Sequence, residues 1–453
     1  MTESAVKTAK ILNILTVILI GLYFLTASVF VIQIRGHFPY QYIGAFTGVP
    51  IVVLFIVNRK AQWADWLLTL VFLSILFAAL AAGISGMPEA YRKLSVSSAI
   101  MAVPLYLITA YLRKSIKENV SLLDFLYFVL KGVCLLQVLW ILIQYVFYHA
   151  LSIDVNEVIF ADLLHQEGLV SFYREGFYPA GFTWHGGSIA PLLVLAFVMI
   201  KNPFIRLVIL AESFLVGSST AIIGVFAALF MTVLLGLIRK EYNLSAVKEL
   251  FTKKNIWKPI LAGVLLIAAV LVAWRLKLFD IVADRAMYLL ARIRDPKLDR
   301  STRIHIRYFT GYPKVFMEST MVQRIFGYGN YSSGYPFQTI FGQYKKMETF
   351  VVECDFINLL VSRGIFGFLV YYFFLLKTGI NGLKLDSRYL VFIAAVVIQG
   401  AGYNVQWQYI FMTEILMYLS IENGLNFFDA RSRLEEGKGK LWSNAFSRNI
   451  IKL

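Results

Sequence analysis

A chain of 453 residues with 59% hydrophobic and only 15% charged side chains, and a mean hydropathy of +0.69, is too apolar for a protein dissolved in water. The composition excludes a soluble globular enzyme and predicts an all-α, polytopic membrane bundle, since helices satisfy their own backbone in lipid. The net charge of +16 falls largely beside apolar runs, the pattern of inner-face anchoring and not of nucleic-acid binding, and two cysteines are too few for a disulfide framework or a metal centre.

Apolar windows of roughly 20 residues predict twelve spans, near 11–32, 41–57, 66–86, 94–112, 124–147, 183–200, 204–217, 219–238, 259–274, 352–376, 389–403 and 408–422. The first run is longer than a signal-peptide core and no small-residue cleavage site follows it, so it is expected to remain as a span. Residues 204–238 read either as two short helices turning at Gly217-Ser218-Ser219-Thr220 or as one long tilted helix. One transmembrane domain over 1–453 is expected, with outer loops at 149–182 and 275–350 and a basic tail at 423–453. Orientation follows lysine and arginine: Lys7, Lys10, Arg59, Lys60, Arg113, Lys114, Arg239, Lys240, Lys377, Lys384 and Arg388 share one side if both termini are cytoplasmic.

The outer loop at 149–182 holds His149, Asp154, Glu157, Asp162, His165 and Glu175, but neither histidine has metal-ligand spacing, so no metal site is assigned. His185, beside Gly186-Gly187 at the mouth of the next span, reads as a hydrogen-bonding residue of a cavity. The second outer loop, Arg275 to Phe350, breaks the positive-inside pattern, with more than twice as many Lys and Arg as Asp and Glu. Anionic headgroups are one explanation and an anionic substrate the other. Within it Arg300, Arg303 and Arg307 fall on one face of a helix, where stacked like charges are tolerated if a phosphate or pyrophosphate neutralises them. A solvated face is the plainer reading. Gly327, Gly329 and Gly334 alternate with Tyr328, Tyr331 and Tyr335 as a flexible aromatic loop suited to sugar faces, although ordinary turns share that composition.

That loop re-enters the membrane through "VECDFINLLVSRGIFG", residues 352–367. On a helix Asp355, Asn358 and Ser362 form one polar stripe, which must face protein or water and not lipid. Glu353 lies opposite that stripe and is expected in a non-helical entry facing the loop. Arg363 falls deeper, before Gly364 and Gly367, whose small size allows close helix approach. Structural ion pairs explain such residues as well as function does, but several polar groups converge here at one water-facing rim.

These stretches resemble the bacterial O-antigen and capsule polymerases (Wzy-type), related to the O-antigen ligases (WaaL-type). "STRIHIRYFTGYPKVFMESTMVQRIFGYGN" is similar to the family's arginine-bearing segment and G-x-G loop, with Arg303 at the arginine position and Gly327-Tyr328-Gly329 at the glycines. "ECDFINLLVSRGIFG" is similar to its entry into the late spans, "SFLVGSSTAIIG" to its Ser-rich turn, and "YPAGFTWHGGSIA" more loosely to the approach to the sixth span. The ligases carry a histidine eleven residues before the glycine that is Gly364 here, where this chain has Glu353, and many members have arginine where it has Thr220.

The resemblance implies a GT-C-like bundle and an inverting glycosyltransferase without a metal or other cofactor. Such an enzyme joins undecaprenyl-diphosphate-linked repeat units on the outer leaflet of the bacterial cytoplasmic (inner) membrane. Membrane lipids, a chain-length regulator and a flippase of the same pathway are its expected company. In this chain Glu353 or Asp355 would serve as base, and Arg300, Arg303, Arg307, Gly327, Gly329, Asn358, Arg363 and His185 would contact substrate. Ligase-type glycan transfer, or a lipid-linked oligosaccharide flippase, is the alternative, but no internal repeat of the transporter kind is visible. A non-catalytic member of a polysaccharide assembly complex is the third.

Overall fold

The computed structural model describes residues 3–29, 32–34, 37–58, 62–166, 172–173, 176–239, 274–275, 278–295, 300–344, 346–406 and 408–429. Its helices are α1 (Glu3–Ala27), α2 (Pro39–Val57), α3 (Trp66–Ile84), α4 (Glu89–Glu118), α5 (Val120–Leu151), α6 (Gly186–Met199), α7 (Pro203–Leu215) and α8 (Ser219–Ile238), then α9 (Leu278–Arg294), α10 (Arg300–Glu318), α11 (Met321–Phe326), α12 (Gly334–Phe341), α13 (Asp355–Leu383), α14 (Ser387–Gly400) and α15 (Gln408–Glu422). A π-helical segment covers Glu157–Leu163, and β1 (Phe172–Tyr173) pairs antiparallel with β2 (Gly176–Phe177).

Among the described residues seven helices, α1 from Lys7, α2, α3, α4, α5, α8 and α13, are long and apolar enough to cross a membrane. The chain is an all-α, multi-pass membrane protein. Helices stand at every expected span except 259–274, which, its last residue apart, lies outside the described residues, as does the basic tail from residue 430. The helices α6, α7, α14 and α15 have 13 to 15 residues. At 1.5 Å per residue they reach roughly 20–23 Å, short of the ~30 Å hydrocarbon core. Residues 204–238 form two helices, because Gly217 takes φ +68° and the Tyr178 ring occupies the space where its side chain would begin.

By backbone packing the chain divides into two compact units, Met1–Leu135 with Ile304–Leu453, and Leu136–Arg303. In the first, α3 packs against α4 and α13, α2 against α1 and α4, and α13 against α14 and α15. Gly44 of α2 gives the room for the Tyr23 ring of α1 to come close. In the second, α6 packs on α7 and α8, and α7 on α9.

The segment 300–350, expected as a long loop, is itself helical over α10, α11 and α12. Along α10 the residues Ile304, Tyr308, Tyr312 and Val315 recur a turn apart and pack with Met87, Tyr91, Phe337, Phe350 and Val352. The Tyr91 hydroxyl ties this cluster together, donating to Gln338 Oε1 at 2.7 Å and accepting from the Phe350 N–H at 3.2 Å.

Candidate functional site

Helix α13 is broken. Gly364 takes φ +65° and ψ −172°, which splits it into 355–363 and 365–383. A break frees carbonyls that the next turn would have used. Here the carbonyls of Val361 and Ser362 accept from the N–H groups of Tyr328, at 2.8 Å, and Gly329, at 3.1 Å. Glycine is required on both sides of the contact, because a side chain on Gly327 would strike the backbone of Ser362, and one on Gly364 the backbone of Ile325. The side-chain space of Gly329 is filled by Ala82 and Ser95. Gly327 and Gly329 thus lie backbone to backbone within the protein and set the direction of the residues that follow them.

The first of those is Asn330, which sequence reasoning missed. Buried to 1% exposure, it donates from its N–H to Ser95 Oγ at 2.8 Å and from Nδ2 to the Ile75 carbonyl at 2.8 Å, and accepts from Arg363 Nε at 3.1 Å. One side chain therefore joins α3, α4 and the broken α13. With Nε engaged, Arg363 lines a cavity whose walls include Tyr331, Tyr371, Gln406 and Gln408. Among the described residues it makes no ion pair.

The two candidate bases occupy different surroundings. Asp355, the first residue of α13, is 2% exposed; its Oδ2 accepts from the Val405 N–H at 3.0 Å, and among the described residues Oδ1 has no hydrogen-bond partner. It clamps the 401–406 turn onto the start of α13, where Gly400 makes room for it. Glu353 stands in the non-helical approach, as its position off the polar stripe predicts, and its side chain is exposed. Solvent reaches it, yet the protein around it displaces enough water to raise its carboxyl above the ordinary glutamate value of 4.5. This approach is held on both flanks: the Val352 N–H donates to Ser333 Oγ at 3.0 Å, and its carbonyl accepts from Asn404 Nδ2 at 2.9 Å.

Of the remaining sequence candidates, Asn358 and Ser362 share the predicted stripe, with Ser362 Oγ donating to Asn358 Oδ1 at 3.1 Å. Arg303 and Arg307 are exposed on α10; the Arg300 side chain lies outside the described set. Burial raises the phenol of Tyr308, next to Arg307, and the nearby Glu353 carboxyl acts in the same direction. No ion pair joins Glu353 to these arginines among the described residues. His185 belongs to the second unit and caps α6: its Nδ1 accepts from the Gly187 N–H at 3.1 Å, so a ring proton sits on Nε2, 3.4 Å from Ser188 Oγ. His149 packs against the Tyr145 and Tyr148 rings, and among the described residues no group of three or more His, Cys, Asp or Glu could hold a metal.

What this arrangement can do chemically is narrow. Within the first unit it offers an accessible carboxylate of raised basicity, the exposed guanidinium of Arg307 on the helix that packs beside it, and an aimed guanidinium in a polar cavity. No protein-family model matches the chain, and no curated protein matches it either.

Proposed function

We propose that the chain is a polysaccharide polymerase, an inverting glycosyltransferase that joins undecaprenyl-diphosphate-linked oligosaccharide repeat units on the outer leaflet of the bacterial cytoplasmic membrane. The observation that carries this reading is Glu353, an exposed carboxylate with raised proton affinity at the turn where the outer segment meets a membrane helix. A base of that kind suits an acceptor sugar hydroxyl, which must lose its proton as it attacks. Twelve spans, with both termini cytoplasmic and residues 275–350 outside, complete the proposal, the four short helices being extended by their flanking residues.

In the proposed step the acceptor oxygen forms a bond to the anomeric carbon of the donor glycan from the face opposite the diphosphate. The anomeric carbon–oxygen bond breaks, its electron pair leaves on undecaprenyl diphosphate, and the hydroxyl proton passes to Glu353 and then to water. Arg303 and Arg307, exposed and making no ion pair among the described residues, neutralise the departing diphosphate. Asp355 holds the entry in shape and Arg363 faces the substrate from within the bundle. The residues used need no cofactor; a chain-length regulator and a flippase are the proposed partners.

Deleting the gene and sizing the surface glycan tests the reading. One repeat unit per carrier on the surface, restored to long chains by the wild-type gene and not by Glu353→Gln present at equal level, supports it. Absence of all surface glycan points instead to a ligase or a flippase, and unchanged chain length overturns it.

A further inference from the structure

Two cavities of the first unit adjoin, sharing Leu105 and Gln408 in their walls. One carries Tyr331, Arg363, Tyr371 and Gln406; the other carries Tyr23, Tyr40 and Gln41. The Tyr23 hydroxyl donates to Gln408 Oε1 at 3.3 Å across the join, and the hydroxyls of Tyr23, Tyr40 and Tyr331 lie near enough to interact electrostatically. Four tyrosines and three glutamines thus face one cleft of the bundle. Tyr331 reaches it from a backbone with φ +57°, a conformation costly for so large a side chain and kept only where surroundings enforce it. Gln406 Nε2 is buried there and has no hydrogen-bond partner among the described residues.

We infer that this cleft seats a sugar ring of the lipid-linked glycan, an uncharged or N-acetylated pyranose. The assignment rests on the glycan-transfer reading above and deepens it. Carboxamides present a donor and an acceptor side by side, which matches vicinal hydroxyls or an acetamido group, while phenol rings cover the C–H faces and their hydroxyls bond the rim. An acyl chain fits poorly, because it would leave those amides and phenols desolvated and unpaired. A diphosphate fits poorly too: its several negative charges would meet only the single guanidinium of Arg363, whose Nε is already engaged by Asn330. The cleft is built for a neutral ligand, and the arginines of α10 are left to the charged part of the carrier.

The test places the photo-reactive p-benzoylphenylalanine at Tyr40, at Gln408 and, as a lipid-facing control, at Phe46, which is 66% exposed on α2. Cells carrying each chain at wild-type level are irradiated and the purified protein is stained for carbohydrate. Glycan on the Tyr40 and Gln408 variants and none on the Phe46 variant is the expected result. Phospholipid adducts alone, no adduct in the cleft, or equal glycan labelling at Phe46 would overturn the assignment. A second measurement uses Gln408→Leu: KM for the lipid-linked acceptor should rise about tenfold or more with kcat nearly unchanged, whereas a merely structural role lowers kcat and protein level together. Surface-glycan sizing in the same cells keeps the two ideas separate. Chains that still elongate while the cleft takes no label defeat the cleft alone, and unchanged glycan in the deletion strain defeats the polymerase reading while the labels still decide the cleft.

Discussion

Replacing Asn330 by alanine should unlatch the site, and the size of the effect follows from its bonds. Two good side-chain hydrogen bonds disappear, one from the charged Arg363 Nε at 3.1 Å and one to the Ile75 carbonyl at 2.8 Å, together with a marginal one from Nδ2 to the Ser95 carbonyl at 3.5 Å, while the backbone bond to Ser95 Oγ stays. A bond to a charged group contributes about 1.5–3 kcal/mol and a neutral one about 0.5–1.5, giving a loss of about 2–4.5 kcal/mol. That is roughly a 30- to 2,000-fold change in the folded-to-unfolded ratio. Asn330→Asp keeps an acceptor for Arg363 and loses the Nδ2 donor to the Ile75 and Ser95 carbonyls, so it should fall between alanine and wild type. Unfolding in mixed SDS and dodecyl maltoside micelles, followed by tryptophan fluorescence, measures these differences. Pairing Asn330→Ala with Arg363→Met in a double-mutant cycle isolates their shared bond, for which about 1.5–3 kcal/mol of coupling is expected. An Asn330→Ala protein within ~0.5 kcal/mol of wild type, the margin for ordinary surface changes, would refute the reasoning.

Gly364→Ala and Gly327→Ala each combine a positive φ with a collision against backbone, so either should cost more than about 2 kcal/mol and lower the yield of folded protein, measured by size-exclusion chromatography in detergent. The protein around Glu353 displaces part of its water and raises its carboxyl, so the activity it supports should fall as pH drops through a value above 4.5, an acid limb that a pH–rate profile of purified enzyme reveals and Glu353→Gln removes. The same shift favours the protonated form in the folded state, so its stabilising effect is present at low pH and lost as pH rises; Glu353→Gln should be at least as stable as wild type near neutrality, and a thermally weaker variant would indicate an ion pair instead. Arg303→Ala should cut polymer formation roughly ten- to a hundredfold and Arg303→Lys recover part of it, because lysine lacks the planar fork; normal chain lengths in Arg303→Ala cells would make that face mere surface. For topology, Met347→Cys, at a position 51% exposed, should react with an impermeant maleimide from outside the cytoplasmic membrane and Lys117→Cys should not, against a low background from the buried Cys134 and Cys354; the reverse pattern would invert the orientation.

The helices were legible because lipid forces apolar runs into helix, and even the awkward stretch 204–238 carried its turn in Gly217. Glu353 was legible as a non-helical residue from helical geometry alone, since it could not join the stripe of Asp355, Asn358 and Ser362. The break at Gly364 was not, because a glycine in an apolar run reads as close packing and the sign of φ is set by what approaches it, here Ile325 and Phe326. The Gly-Tyr run 327–335 read as flexible for the same reason, yet Ser332 and Ser333 are fully buried. Asn330 carried no local signal: its partners Ile75 and Ser95 lie 255 and 235 positions earlier. Its one hint was its place directly after Gly327-Tyr328-Gly329, where a fixed backbone aims the next side chain. His185 read as a cavity residue because capping and ligand binding ask for the same hydrogen-bonding groups beside glycine.

The span of those partners has a consequence for how the protein is made. Ser95 and the Ile75 carbonyl enter the membrane with α3 and α4, but the asparagine they await is translated up to 255 residues later. At roughly 5–20 residues per second the interval is about 13–50 s. Through that time a serine destined for complete burial and an uncovered stretch of α3 and α4 face lipid or the insertion machinery. The arginine that completes the latch arrives a further 33 residues on. Nascent chains stalled before residue 363 should therefore stay associated with membrane chaperones and be cut readily by intramembrane quality-control proteases, while chains released after it resist them.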